Sequence, residues 1–254
     1  MRYFIELAYN GTGYSGWQWQ ENAIVTIQAE LQQAMEQLMR QPIKLSGCGR
    51  TDAGVHASQY FAHFNFDGPI ENVDHLVFRL NRVMSPSIVV YRIFRVNDRA
   101  NSRFDATSRT YRYRISKYKD PFLYHVRTEW FYQIKLDVMN EAAAMLPGTH
   151  DFGCFCKRQA SNKTNICTVT EAHWQEHADH YEFTISANRF LRNMVRAIVG
   201  THLDISRGRM TLEDYRGVLV SGNRSLAGVS APAQGLFLSA VSYNWEKVLT
   251  LPDE

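Results

Sequence analysis

The chain has 254 residues, 45% hydrophobic and 21% charged, a balance that suits a globular protein with ample length for a core. Lys and Arg number 28 against 25 Asp and Glu, a formal net charge of +3, so binding to nucleic acid cannot rest on global charge and needs a local patch. No apolar run approaches the roughly 20 residues of a membrane span. Cys48, Cys154, Cys156 and Cys167 lack disulfide-framework spacing, and residues 1–6 enter a strand pattern at once, leaving no room for a leader. Both features point to reduced thiols and a cytoplasmic protein.

Residues 3–9 predict a strand, followed by a turn-rich stretch, 10–16, and the aromatic Trp17-Gln18-Trp19-Gln20. Thr26 is placed to cap a helix running to about Arg40, with Ile27, Leu31, Ala34, Met35 and Leu38 on one face. Strands are expected at 43–46 and 59–66. Asn72 caps a second helix with Val73, Leu76, Val77, Leu80 and Val83 inward; Ser85-Pro86 ends it, and 88–96 is a β-branched strand.

The second half repeats the order. Residues 110–116 predict a strand, Asp137 caps a helix that Pro147-Gly148 stops, and 167–174 and 181–187 are strands. Residues 189–205 predict a long helix, 211–220 a short one opened by the capping pattern Thr-Leu-Glu-Asp, and 235–244 a last strand. Each half therefore reads β-α-β-β-α-β, the ferredoxin-like or RNA-recognition order. The fold class is α+β, with an N-terminal half at 1–98, a hinge near 97–102 and a C-terminal half at 103–247. The fold alone names no function.

Between two apolar runs lies Gly47-Cys-Gly-Arg50-Thr51-Asp52-Ala-Gly54-Val-His56-Ala57. Glycine lets the backbone turn tightly and lets another molecule approach it, which would set Asp52 at a loop tip, where catalytic and binding residues concentrate. A plain turn whose Asp bonds its own backbone has the same pattern.

Three other segments bear on chemistry. On a helix through 189–200, Leu191, Met194, Val195, Ile198 and Val199 form one stripe, and Arg189, Arg192 and Arg196 fall within about 60° on another side. That is either a phosphate or carboxylate clamp or a solvated face. In the strand Arg109-Thr-Tyr111-Arg-Tyr113-Arg-Ile115 the two tyrosines share a face with Ile115. Tyrosines on a sheet face are platforms for unpaired bases, with arginines such as Arg109 answering phosphates, or else core rings. The polar segment 157–165, with Lys157, Arg158 and Lys163, reads as a loop able to clamp an RNA backbone, or as an ordinary solvated loop. Cys154-x-Cys156 with His150, and His173 with His177, lack the usual zinc spacing. No Walker loop or dinucleotide fingerprint occurs, so no cofactor is signalled.

Taken together, these residues resemble one family closely, the tRNA pseudouridine synthases A. Gly49 to Ala57 matches that family's catalytic loop without departure. Gly16-Trp17-Gln18-Trp19-Gln20, Arg109-Thr-Tyr111-Arg-Tyr113, Phe190-Leu191…Met194-Val195-Arg196 and Ala231-Pro232…Gly235-Leu236 match its other landmarks in order. Two departures are Ala100-Asn101-Ser102-Arg103, where the family often reads Phe-His-Ala-Arg, and Ala233, where it often has Pro. The resemblance implies the pseudouridine synthase fold: two recognition-like halves forming a mixed, mainly antiparallel sheet with flanking helices and a central cleft. It implies that Asp52 is catalytic, with Tyr111 as aromatic partner of the target base and Arg196 as the basic partner of Asp52. Arg50 would hold the target nucleotide flipped out, with Thr51, His56, Arg109, Tyr113, Arg189, Arg192, Lys157, Arg158 and Lys163 as further RNA contacts. The implied reaction converts uridine to pseudouridine in the tRNA anticodon stem-loop, at positions 38 to 40, by a homodimer and without cofactor or metal. The competing expectation is a non-catalytic RNA-binding protein with two RRM-like halves, which leaves the glycine-bounded Asp52 without a role.

Overall fold

The computed structural model describes residues 1–20, 25–157 and 163–250. In chain order its elements are β1 (Arg2–Tyr9), α1 (Ile27–Met39), β2 (Ser46–Gly47), β3 (His56–Asn65), α2 (Val73–Val83), β4 (Ile88–Val96), β5 (Ala106–Ser116) and β6 (Thr128–Glu129). There follow α3 (Leu136–Ala143), β7 (Gly148–Asp151), β8 (Ile166–Glu176), β9 (His180–Ala187), α4 (Met194–Ser206), α5 (Leu212–Ser221), β10 (Leu236–Tyr243) and α6 (Trp245–Leu249). The chain forms two compact units, Met1–Thr107 with Phe237–Glu254, and Ser108–Leu236. The last strand and helix thus group with the first hundred residues.

In the first unit β1 lies antiparallel between β4 and β3. Because β1 takes one edge of β3, the short β2 and β10 share the other: β2 is antiparallel at Ala62 and His63, and β10 is parallel at His56 and Ala57. Register puts Phe4, Glu6, Phe61, His63 and Phe94 on one face of this sheet. There the rings of Phe4, Phe61 and Phe94 meet Tyr243 and Trp245. β1 is accordingly buried along almost its whole length. The Thr26 cap forms as expected, its hydroxyl accepting from the Ala29 N–H at 3.2 Å, and Ile27, Leu31, Ala34 and Met35 are buried. Asn72 caps α2, but only Leu76 and Leu80 are buried and Val83 faces solvent.

In the second unit the strand order is β5-β9-β8-β7, all antiparallel, with β6 parallel to β5. The mixed, mainly antiparallel α+β class is as expected. Two local readings need correction. Asp137 does not cap α3: it lies in the first turn, and the cap position is Lys135, without a side-chain bond. More consequentially, α4 begins at Met194 and not at Arg189, because Asn193 turns left-handed at φ 68°. From there α4 is buried nearly all round, as a helix enclosed by its unit must be. At its centre His202 is fully buried; Trp174 donates its indole N–H to Nδ1 at 3.0 Å, and Nε2 meets the Tyr215 hydroxyl at 3.0 Å. Burial holds His202 down at about 3 and raises the Cys154 thiol to about 12.

Candidate active site

The glycine-rich loop is residues 48–55, joining β2 to β3, and three sets of contacts fix its shape. At its start the Cys48 N–H donates to the Phe61 carbonyl at 2.8 Å, and the Tyr60 hydroxyl donates to the Gly49 carbonyl. Trp17 stacks on Tyr60 with centroids 4.1 Å apart and is itself buried. In the middle, the Thr51 hydroxyl bonds the Tyr9 hydroxyl at 2.9 Å and accepts the Trp17 N–H at 3.2 Å. At its end, the Gly54 N–H donates to the Tyr14 carbonyl at 3.2 Å, and the Val55 N–H returns to the Asp52 carbonyl at 3.2 Å. Gly54 sits at φ 76°, which explains glycine there.

The turn at 10–17 serves as the brace. A Cβ on Gly11 would strike the Val55 carbonyl, and one on Gly16 would strike the Thr51 carbonyl oxygen and stand 3.1 Å from the Asp52 carbonyl carbon. The Gly16-Trp17 pair is thus explained by close approach: Gly16 lets the brace touch the loop, and Trp17 locks it. Val55 and His56 are buried, Thr51 and Asp52 half-buried, and Arg50 exposed. An anchored loop that leaves one carboxylate and one guanidinium near its surface is suited to presenting charge to a bound molecule.

Of the expected RNA contacts in this unit, His56 is a core residue and Thr51 is half-buried. His56 is 1% exposed, stacks on Phe237 with centroids 4.6 Å apart, and accepts the Gly11 N–H at Nδ1, 3.0 Å. Thr51 spends its hydroxyl on Tyr9 and Trp17.

In the second unit Tyr111 lies on β5, half-buried, with Phe190 edge-on at 5.0 Å and 85°. Tyr113, two residues on, is fully buried: its hydroxyl bonds Thr128 Oγ1 at 2.6 Å and donates to the Pro232 carbonyl at 2.8 Å. It is a core ring and cannot stack on a base. Both rings lie on one face of β5, so depth of burial along that face, and not alternation, separates a reachable tyrosine from a structural one. Arg112 and Arg114 on the opposite face both meet Glu182, at 3.6 and 2.9 Å.

Arg196 stands in the first turn of α4, where its Nε donates to the Ala231 carbonyl at 2.7 Å and its own carbonyl accepts the Ala231 N–H at 2.9 Å. This pairing ties Ala231-Pro232 to the helix and fixes the guanidinium. Arg189 and Arg192 precede the helix, so the expected three-arginine face does not exist; only Arg196 is helical. Arg109 donates from Nη1 to the Asn188 carbonyl at 2.9 Å. Lys157 and Lys163 are exposed, and Arg158 lies outside the described residues.

One unit thus carries a braced loop with an aspartate, and the other a strand tyrosine and a helix-start arginine. A family model described as tRNA pseudouridine synthase matches residues 142–244. Over nearly the whole chain there is similarity to proteins named tRNA pseudouridine synthase A. That of Parabacteroides distasonis is 45% identical over 242 residues, covering 95% of this chain and 96% of its own. Those of Porphyromonas gingivalis and Bacteroides fragilis are each 46% identical over 246 residues, covering 95% and 96% of this chain and 97% of theirs. The chain belongs to the tRNA pseudouridine synthase A family, and so to the isomerases.

Proposed function

We propose that this protein converts uridine to pseudouridine in the anticodon stem-loop of tRNA, at positions 38 to 40, with Asp52 as the catalytic carboxylate. It works in the cytoplasm, as a homodimer. The observation that carries the reading is the anchoring of the loop: its flanking hydroxyl and backbone groups are bonded inward, the Trp17 indole stacks on Tyr60, and Asp52 stays half-buried among them. Preorganisation of this kind is what a charge acting at a reacting centre requires.

The chemistry balances without a co-reactant. The bond from C1′ to N1 breaks, the uracil turns, and C1′ bonds to C5; the C5 proton is lost and N1 gains one. Cleavage builds positive character at C1′, and a carboxylate beside it is the usual protein response. Asp52 acts on the base, on C1′ or on a sugar proton, and all three routes need the same carboxylate. Tyr111, whose ring is held by Phe190, serves as partner of the target base, and its hydroxyl is the base that takes the C5 proton. Arg196 completes the catalytic set. A paired uridine must first leave its stack, which costs a few kcal/mol, and the exposed Arg50 is suited to holding it out.

Tritium release from tRNA labelled at uridine C5 tests this. Wild type is expected to turn over, and Asp52→Ala to release nothing above background while retaining tRNA binding. Equal release by both proteins would remove Asp52 from the chemistry.

A further inference from the structure

Beside the Asp52 loop, within the first unit, lies a cavity of about 240 Å³, whose lining includes Trp17, Gln18, Gly47, Arg50, Arg103 and Phe104. Its volume falls below the roughly 300–1,000 Å³ typical of pockets for drug-sized ligands, and suits a single planar group. Two guanidiniums and no carboxylate stand among its described lining residues, so its charge favours an anion.

The turn that supplies Arg103 and Phe104 is rigid. The Asn101 side-chain oxygen accepts both their N–H groups, at 3.0 and 3.1 Å, and the Asn101 N–H donates to Asp105 at 2.7 Å. Ser102, completely buried, donates its N–H to His63 Nδ1 at 3.2 Å and its hydroxyl to the Ser46 carbonyl at 3.0 Å; its carbonyl accepts the Tyr243 hydroxyl at 2.6 Å. Burial holds His63 down at about 4, so near neutral pH it stays uncharged and keeps accepting. On this fixed turn the Phe104 ring is 78% exposed, with the Arg103 guanidinium over it at 5.5 Å from its centroid. A large ring held in water by a rigid turn, next to a cationic cavity, has the makings of a stacking platform.

We infer that this cavity binds a second unpaired nucleotide of the RNA, distinct from the target uridine, with its base on Phe104 and its phosphate between Arg103 and Arg50. The inference rests on the tRNA-modifying function proposed above and adds a subsite to it. Arg50 would then stand between the displaced uridine and this neighbour, linking the flip to the capture of a second base.

Phe104 is exposed, so substitutions there leave folding intact, and thermal melts serve as the check. Single-turnover tritium release over a range of tRNA concentrations is expected to show Phe104→Ala raising the half-saturating concentration about tenfold, well beyond its effect on the saturating rate. Phe104→Trp should restore wild-type behaviour and Phe104→Leu should not, because stacking needs a π face. tRNA carrying 5-iodouridine should photocrosslink to the peptide containing Phe104 through a nucleotide other than the target. Wild-type behaviour in Phe104→Ala and Phe104→Leu, with active wild type, overturns the subsite alone. Failure of wild type to bind or modify tRNA overturns the proposed function, and the subsite with it.

Discussion

Two glycines of the brace separate backbone strain from positioning of Asp52. Gly13 and Gly16 both sit in left-handed conformations, at φ 82° and 93°, so alanine at either costs about 1–2 kcal/mol of backbone strain. In a chain of this size that lowers Tm by roughly 2–4 °C per kcal/mol. Their surroundings differ. A Cβ on Gly13 meets no heavy atom within 4 Å, whereas one on Gly16 overlaps the Thr51 carbonyl oxygen and lies 3.1 and 3.3 Å from the Asp52 carbonyl carbon and oxygen. Contact is with backbone, which cannot rotate away, so the loop must retreat by on the order of 1 Å, and a displacement of that size can cost about 10²-fold in rate. Gly16→Ala is therefore expected to lose about two orders of magnitude in single-turnover tritium release, while Gly13→Ala loses stability only. The assay pairs that rate with a thermal melt for each variant. If Gly16→Ala reacts within twofold of Gly13→Ala, the brace does not position Asp52.

Two further outcomes concern the second unit. His202 keeps a pKa of about 3 in the fold against an ordinary 6.5; the unfolded chain takes its proton below pH 6.5 and the folded one does not until about pH 3. Its contribution is therefore fully present above pH 6.5 and is lost on acidification at about 1.4 kcal/mol per pH unit. Urea unfolding at pH 7.5 and 5.0 should show wild type losing about 2 kcal/mol more than His202→Gln, and identical losses would contradict the burial argument. Tyr113→Phe should cost about 1–3 kcal/mol by leaving the Pro232 carbonyl and the buried Thr128 hydroxyl without a partner, while tRNA affinity measured by filter binding stays at the wild-type value. Weakened binding at unchanged Tm would restore Tyr113 to the RNA surface.

Much of the fold was legible because amphipathic helices and their caps are local. The Thr26 and Asn72 caps, the capping box at Thr211 and Asp214, and strand β4 all follow from neighbouring residues. The start of α4 was not legible: the apolar stripe continues back to Leu191, and only the left-handed Asn193, tied to Ser230 at 2.5 Å, breaks it. Tertiary context overrode periodicity there. Within the site, the loop itself was visible in its glycines, but not which of its side chains turn in. His56 and Tyr113 look like surface chemistry in a linear sequence because their partners, Phe237 and Pro232, lie more than a hundred residues away. Phe104 escaped notice for the converse reason: a lone phenylalanine predicts burial, and only the rigid turn beneath it shows that it is held out.

The parallel pairing of β10 with β3 bears on the order in which the protein is made. Phe237 supplies the ring against His56, the Val241 N–H donates to the Gln59 side chain across 182 residues, and Tyr243 secures the Ser102 carbonyl. On a ribosome the sequence from Gly49 to Ala57 emerges early, yet the neighbours that finish its surroundings emerge last. A chain halted before Phe237 carries every residue of the loop and the whole of its brace, but leaves β3 with part of one edge bare. The first unit to be synthesised is thus the last to be closed, and nascent fragments do not hold the finished setting of Asp52.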